Sequence, residues 1–332
     1  MIPEGTPSAR WSPRTRAVSF SVAALLAAVL LYYSLSGIEW RQVARIALGA
    51  RPGVLVLASA LGTTTLLLRA VRWRILLNAE GAVSVATVFW ATAAGYFGNN
   101  FLPARAGELV RTFMISSRSA LDTTYVLATA LSERVADAIA LVVISALVLL
   151  MLPAQPGWLA GVAKPFAILG LLGAIAIGVL PLLGSVGQSA IQRAPLPLAL
   201  RPRLITAMEQ GLRGLRAFHD ARRLSGFLAL TGLIWCLDAL GTVIAGAALG
   251  FRIPIPVAFL LIAGLGLGSA LPSTPGYIGI YQFVAVTVLT PFGFSRTDAI
   301  AYILVAQGLT YVVIGFWGSL GLLRYRRTRR SA

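Results

Sequence analysis

Between Asn99 and Arg111 the chain sets two guanidiniums and a carboxylate beside a helix-breaking proline, in the run Asn99-Asn100-Phe101-Leu102-Pro103-Ala104-Arg105-Ala106-Gly107-Glu108-Leu109-Val110-Arg111. Pro103 lacks an amide proton, and the side chains of Asn99 and Asn100 can cap backbone groups that a break sets free. A helix restarting just after Pro103 brings Arg105, Glu108 and Arg111 near one face at i, i+3 and i+6, so Glu108 can pair with either arginine. Gly107 leaves room for close backbone approach. A helix N-terminus carries unpaired amide protons, and guanidiniums match phosphate oxygens bidentately. The chemistry implied is capture of a phosphate or carboxylate at the end of a broken helix. The competing reading is a loop whose arginines only obey the positive-inside rule.

A second cluster, Glu133, Arg134 and Asp137, falls at i, i+1 and i+4 inside the apolar run Tyr125–Leu152. Charges at membrane depth cost about 2.5–3.5 kcal/mol each on insertion scales, so they face a bundle interior or water rather than lipid. This trio could pair with Arg105 or Arg111, hold a substrate cation, relay protons, or form a structural ion-pair network. A third constellation, Pro272-Ser273-Thr274-Pro275-Gly276-Tyr277-Ile278-Gly279-Ile280-Tyr281-Gln282, offers hydroxyls, a carboxamide and bare backbone but no charge. It could line the opposite wall of a polar cavity. Gly264, Gly266 and Gly268 before it suit helix packing better than a nucleotide loop. Asp238 is a further carboxylate within an apolar stretch, with no partner near it in sequence.

The elements that must position these groups are membrane helices. Of 332 residues, 58% are hydrophobic and only 12% charged, about half the charged fraction of a soluble chain, and mean hydropathy is +0.82. The expected fold is an all-α polytopic integral membrane protein. Full spans are expected near 17–36, 53–77, 124–152, 163–183, 226–250 and 297–322. Two more apolar regions, 82–121 and 254–292, are each broken in the middle, at Asn99-Asn100…Pro103 and at Pro272…Gly276. Arg10, Arg14 and Arg16 precede the first apolar run, and Ser34-Leu35-Ser36 fits a signal-peptidase site. The length of that run favours a retained helix over a cleaved signal.

The net charge of +17 comes almost wholly from arginine and lies in short loops, which argues against nucleic-acid binding. Arginines before residue 17, at Arg69, Arg72 and Arg74, through 184–225 and after residue 323 place those segments in the cytoplasm. The 37–52 loop, with Arg41, Arg45 and Arg51, is then outside and departs from the trend. On this topology region 82–121 begins and ends inside, and 254–292 begins and ends outside. Each reads as a re-entrant hairpin, and the pair as an inverted repeat with broken elements at the site. The alternative is two ordinary spans and a tight turn in each region. Domain organisation is then a cytoplasmic tail 1–16, one transmembrane domain 17–323 and a basic tail 324–332. Within the 184–225 loop Leu204, Met208, Leu212, Leu215 and Phe218 recur at helical spacing. They mark an amphipathic helix lying on the anionic cytoplasmic leaflet or packed on the bundle.

Absences narrow the function. There is no GxxxxGK[ST] for nucleotide hydrolysis. One cysteine and one histidine leave no disulfide, no metal site and no histidine chemistry. No cofactor is expected.

Together, Asn99…Leu102-Pro103…Arg105…Gly107-Glu108…Arg111, Glu133-Arg134, Leu271-Pro272…Pro275-Gly276…Gly279 and Arg69…Arg72-Trp73 resemble the flippase-like family. That family includes the transmembrane half of lysylphosphatidylglycerol synthases. The resemblance covers roughly 15–325. It implies a lipid flippase or scramblase of the bacterial inner membrane, not an enzyme, acting on an aminoacylated phospholipid or polyprenyl-linked lipid. It places Arg105, Glu108, Arg111, Glu133 and Arg134 on the headgroup cavity. The soluble aminoacyl-transferase domain of the synthases has no counterpart here. Gln282 stands where the family pattern carries a carboxylate, so ion coupling there is not implied. The full expected substrate site is Asn99, Asn100, Pro103, Arg105, Gly107, Glu108, Arg111, Glu133, Arg134, Asp137, Pro272, Pro275, Gly276, Gly279 and Gln282. Expected partners are the lipid substrate and the anionic leaflet, with a homo-oligomer left open. Rival functions are secondary transport of a small soluble anion and intramembrane lipid modification.

Overall fold

The computed structural model describes residues 25–102, 106–151, 184–194, 201–269 and 274–330, together with Ile168, Leu172 and Ile175. Its elements are α1 (Leu25–Leu35), α2 (Trp40–Leu48), α3 (Pro52–Leu77), α4 (Val85–Phe101), α5 (Gly107–Ser116), α6 (Thr123–Met151), α7 (Gly184–Arg193), α8 (Arg201–Arg216), α9 (Ala221–Ala248), α10 (Ile255–Gly268), α11 (Ile280–Leu289) and α12 (Arg296–Arg330). No strand occurs among the described residues. Among the described residues three helices are long and apolar enough to cross a membrane, Pro52–Leu77, Ala221–Ala248 and Arg296–Arg327. The chain is therefore a multi-pass, membrane-embedded protein. The expected span 163–183 and the N-terminal part of 17–36 lie outside the described residues, apart from Ile168, Leu172 and Ile175.

Local sequence sets the helix starts. Pro52 opens α3 with no amide to satisfy. The Ser84 hydroxyl accepts from the Thr87 amide at the start of α4, and Asp122 accepts from the Thr124 amide before α6. Asp220 does the same for Arg223 at the start of α9.

The long helices and the broken regions form two similar units: α3, the pair α4/α5 and α6; then α9, the pair α10/α11 and α12. Helices α3 and α9 pack antiparallel. The Arg51 amide, before α3, donates to the Ala248 carbonyl at the end of α9, while Gly226 near the start of α9 meets Ile75 near the end of α3. Each broken region is a closed helical hairpin. Gly98 of α4 lies against Gly107 of α5, and Gly268 of α10 against Ile280 of α11. Both ends of each hairpin sit together. The Tyr125 hydroxyl donates to the Leu76 carbonyl at 2.8 Å, joining the helices that flank the first. The rings of Phe251 and Phe294 meet 6.0 Å apart at the base of the second. The first hairpin thus hangs from the C-terminal end of α3 and the second from its N-terminal end. Helices α5 and α11 have 10 residues each. Each is about 15 Å long, half a hydrocarbon core of about 30 Å.

The hairpins pack across the units, α4 on α12 and α10 on α6, and α4 also touches the turn Pro275–Tyr277 at the tip of the second hairpin. Two apolar clusters hold the bases. One gathers Trp73, Leu77, Ala91, Ala94, Ile115, Val126 and Ala130. The other gathers Ile253, Ala258, Leu261, Ala285, Leu289, Ala299 and Ile300. Small residues let these helices approach closely.

Several expectations are corrected. Asn99 and Asn100 do not sit at the break but in the last turn of α4, and the helix restarts at Gly107. Pro103 and Arg105 lie outside the described residues. Arg69 and Arg72 belong to the body of α3 and not to a cytoplasmic loop; carboxylates on other helices hold them there. The described part of the 184–225 segment includes α7 and α8, and α8 packs on α6, in line with the bundle-packed alternative. The C-terminal helix continues to Arg330.

Candidate functional site

Charged residues from four helices, α3, α5, α6 and α9, meet between the units. Arg72 has no exposed side-chain surface. It grips Asp137 with both terminal nitrogens, at 2.6 and 2.9 Å. It also donates to Glu133 at 2.9 Å and to the Thr231 hydroxyl at 3.1 Å. Glu133 bridges to Arg111 at 2.8 Å, and Arg111 in turn holds Glu108 at 2.5 Å. Arg134 closes the ring, 3.2 Å from Glu108 and 3.6 Å from Asp137. The aromatic faces of Trp73 and Phe227 cover Arg111 and Arg72. A separate pair, Arg69 and Asp238, joins α3 to α9. Four arginines and four carboxylates take part, and their formal charges cancel.

The first hairpin reaches this network because its helices touch backbone to backbone. A Cβ at Gly107 would collide with the Gly95 carbonyl, and one at Gly98 would lie 2.6 Å from the Gly107 Cα. The contact brings the Asn99 amide to Glu108 at 3.2 Å. Asn100 instead donates to the Tyr96 carbonyl of its own helix. The N-terminus of α5 is thereby packed against α4, with Gly107 buried.

The second hairpin is held by neutral groups. Gly276, Tyr277 and Gly279 all have positive φ, at 74°, 60° and 92°, and shape the tip. Gln282 accepts from the Gly279 amide at 2.8 Å and donates to Gln307 at 2.9 Å. Gln307 and Tyr311 both donate to the Gly276 carbonyl. Pro275 opens the short 3-10 turn at that tip, and Pro272 lies outside the described residues. By order of elements, α11 with Gln282 and α12 with Gln307 correspond to α5 and α6, which carry Arg111 and Glu133, in the first unit. One hairpin is fixed by ion pairs, the other by amides.

Beside the network lies a cavity of about 370 Å3, walled by α3, α9, α12 and the two hairpins. Its polar lining includes Arg69, Asp238, Arg134, Tyr96, Thr242 and Gln307; Leu66, Trp235 and Ile303 supply apolar surface. Of the expected site residues within the described part, only Arg134 opens onto it, with 33% of its side chain exposed. Glu108, Arg111, Glu133 and Asp137 come together, with Arg111 paired to Glu133 as one of the open readings had it, but in the wall behind the cavity. Gln282 and Gly276 bind α12 instead of facing it. Sequence reading missed Arg69 as a cavity residue and gave Asp238 no partner. The signal was partial: Asp238 is a lone carboxylate in an apolar run and needs a cation from another helix, but Arg69 stood in a group of three arginines with Arg72 and Arg74.

A family model described as the lysylphosphatidylglycerol synthase TM region matches residues 19–318. Among curated proteins the chain is similar to one named "Glycosyltransferase AglD" from Haloferax volcanii, 27% identical over 307 residues. That match covers 82% of this chain and 49% of the relative, so the chain spans about half the relative's length. No solved structure matches.

Proposed function

From the premise that this chain belongs to the family of the lysylphosphatidylglycerol synthase transmembrane region, we propose that it moves a phosphate-bearing lipid between the leaflets of a bacterial inner membrane. Its class is flippase or scramblase, and it does no chemistry on the lipid. One observation carries this reading: a cavity with arginine on its wall at the meeting point of two oppositely hung hairpins. Lipid flip-flop is slow because a charged headgroup must leave water. Arg69 and Arg134 offer a phosphate fixed donors in place of hydration, while the acyl chains stay in lipid. A headgroup phosphodiester fits the cavity volume, which is at the small end for ligand sites.

The hairpins supply the route. Short helices α5 and α11, each with its base on one side, suit re-entrant elements that enter from opposite faces. The end of α3 that bears the first hairpin, next to α8 and the end of α12, is the cytoplasmic one. On this reading both chain termini are cytoplasmic. The buried network is the frame that holds the first hairpin, and the amide-bound second hairpin is the more readily displaced gate.

The test is headgroup accessibility in proteoliposomes. Labelled phospholipid in the inner leaflet becomes accessible to an external quencher with the wild type and stays protected with Arg134→Gln. Equal rates for both would remove the cavity from the account. The relative named as a glycosyltransferase favours a second reading, modification of a lipid at the same cavity. A changed lipid mass after incubation with a sugar donor would establish it. Uptake of a soluble anion without lipid movement would point to secondary transport instead.

A further inference from the structure

Arg69 differs from the other arginines of the site. Arg72 and Arg111 each hold two carboxylates and are sealed from the cavity. Arg69 makes one side-chain hydrogen bond, from Nη2 to Asp238 Oδ2, and both partners line the cavity. Their side chains are 12% and 22% exposed. The guanidinium is held in place by something other than Asp238: it lies 5.0 Å from the ring of Trp235 and 5.9 Å from that of Tyr96. A second observation points to a missing ligand. Trp235 is 7% exposed and lines the cavity, yet its indole N–H has no hydrogen-bond partner among the described residues. A buried donor without an acceptor is costly, and it wants an oxygen atom in that space.

We propose that Asp238 is a resident counter-ion occupying an anion subsite made by Arg69 and the Trp235 indole N–H, and that a phosphodiester or phosphomonoester group displaces it. The aromatic rings hold the guanidinium in place when the carboxylate leaves, and the incoming phosphate oxygens take both Arg69 and the unpartnered indole. A guanidinium offers five donors, of which the aspartate hydrogen-bonds to one, so the phosphate finds a site already aligned and only partly used. The exchange keeps the arginine paired in every state, which is what a charge in a membrane cavity requires. The displaced carboxylate keeps some contact with water, since Asp238 is partly exposed. This inference rests on the lipid-transport reading for the source of the phosphate, but the subsite itself is a binding claim.

Calorimetric titration of the purified full chain in detergent tests it, with dihexanoyl phosphatidylglycerol as lipid probe and glycerol 3-phosphate as soluble probe. A competitor that must be displaced lowers affinity, so Asp238→Asn is expected to bind the lipid probe roughly fivefold more tightly than wild type, the worth of a partly exposed ion pair. Arg69→Gln is expected to bind at least about tenfold more weakly, and Trp235→Phe several-fold more weakly, as each loses a donor to the phosphate. The double variant should follow Arg69→Gln. Should Asp238→Asn not fold, Asp238→Ser reads the same sign. Weaker or unchanged binding by a folded neutral variant at Asp238 overturns the exchange and leaves the pair a structural link. Equal affinity for glycerol 3-phosphate keeps the subsite and assigns it a soluble ligand. Binding with the expected signs but no lipid movement in vesicles ends the flippase reading and leaves the subsite standing.

Discussion

Replacing Glu133 with glutamine removes one negative charge from a cluster in which Arg72, Arg111 and Arg134 balance Glu108, Glu133 and Asp137. The substituted amide keeps the shape but leaves a net positive charge in a place with almost no water. The carboxylate oxygens accept from Arg72 at 2.9 Å and from Arg111 at 2.8 Å, so both charge-assisted bonds weaken together. Removing one member of a buried ion pair typically costs about 3–5 kcal/mol, because the partner charge is stranded. At about 2–4 °C per kcal/mol, the melting temperature should fall by on the order of 10 °C. The assay is thermal unfolding in detergent, followed by tryptophan fluorescence. The decisive variant is the double Glu133→Gln/Arg111→Gln, which restores neutrality. It should be more stable than the sum of the two single changes by about 1–3 kcal/mol. A single variant as stable as wild type, or strict additivity in the double, would show that these groups are separately solvated and would refute the reasoning.

Other expectations follow from the same contacts. Gly107→Leu has no room beside the Gly95 carbonyl and the Asn99 amide; the first hairpin should fail to close, and size-exclusion chromatography should show aggregate in place of a monodisperse peak. Gln307→Leu strands the Gln282 amide and removes a donor to the Gly276 carbonyl, which should cost about 1–3 kcal/mol by the same melting assay and loosen the second hairpin more than the first. In a Cys236→Ser background, cysteines at Glu80 and Arg118 should react with an impermeant maleimide from one side of the membrane and a cysteine at Arg252 from the other. Opposite labelling of residues 80 and 118 would replace the first re-entrant hairpin with two full spans.

The broken regions were legible because proline and glycine interrupt their apolar runs. The boundaries were less so. Asn99 and Asn100 look like caps, yet α4 continues through them because Gly95 and Gly98 let α5 pack directly on its last turns. Helical spacing put Glu108 beside Arg111 and Glu133 beside Asp137, and left the contact of Arg111 with Glu133 across two helices as one of several open readings. What local spacing could not give was the long-range partner. Arg72, 61 and 65 residues from the carboxylates it binds, looked like one of three arginines at the end of a span. Asp238 lies 169 residues from Arg69. Which charge faces the cavity and which is sealed behind it depends on helix rotation, and no local pattern encodes that when a helix is apolar on every side.

The central claim is that cavity arginines carry a lipid headgroup across the bilayer. The most direct measurement is the rate at which fluorescent phosphatidylglycerol in the inner leaflet of proteoliposomes becomes accessible to external dithionite, for wild type and Arg69→Gln at matched protein content. The account predicts rapid exposure with the wild type and a rate near that of protein-free vesicles with the variant, while the melting temperature changes little. Equal rates for the two proteins, or no exposure above protein-free vesicles with the wild type, would contradict it.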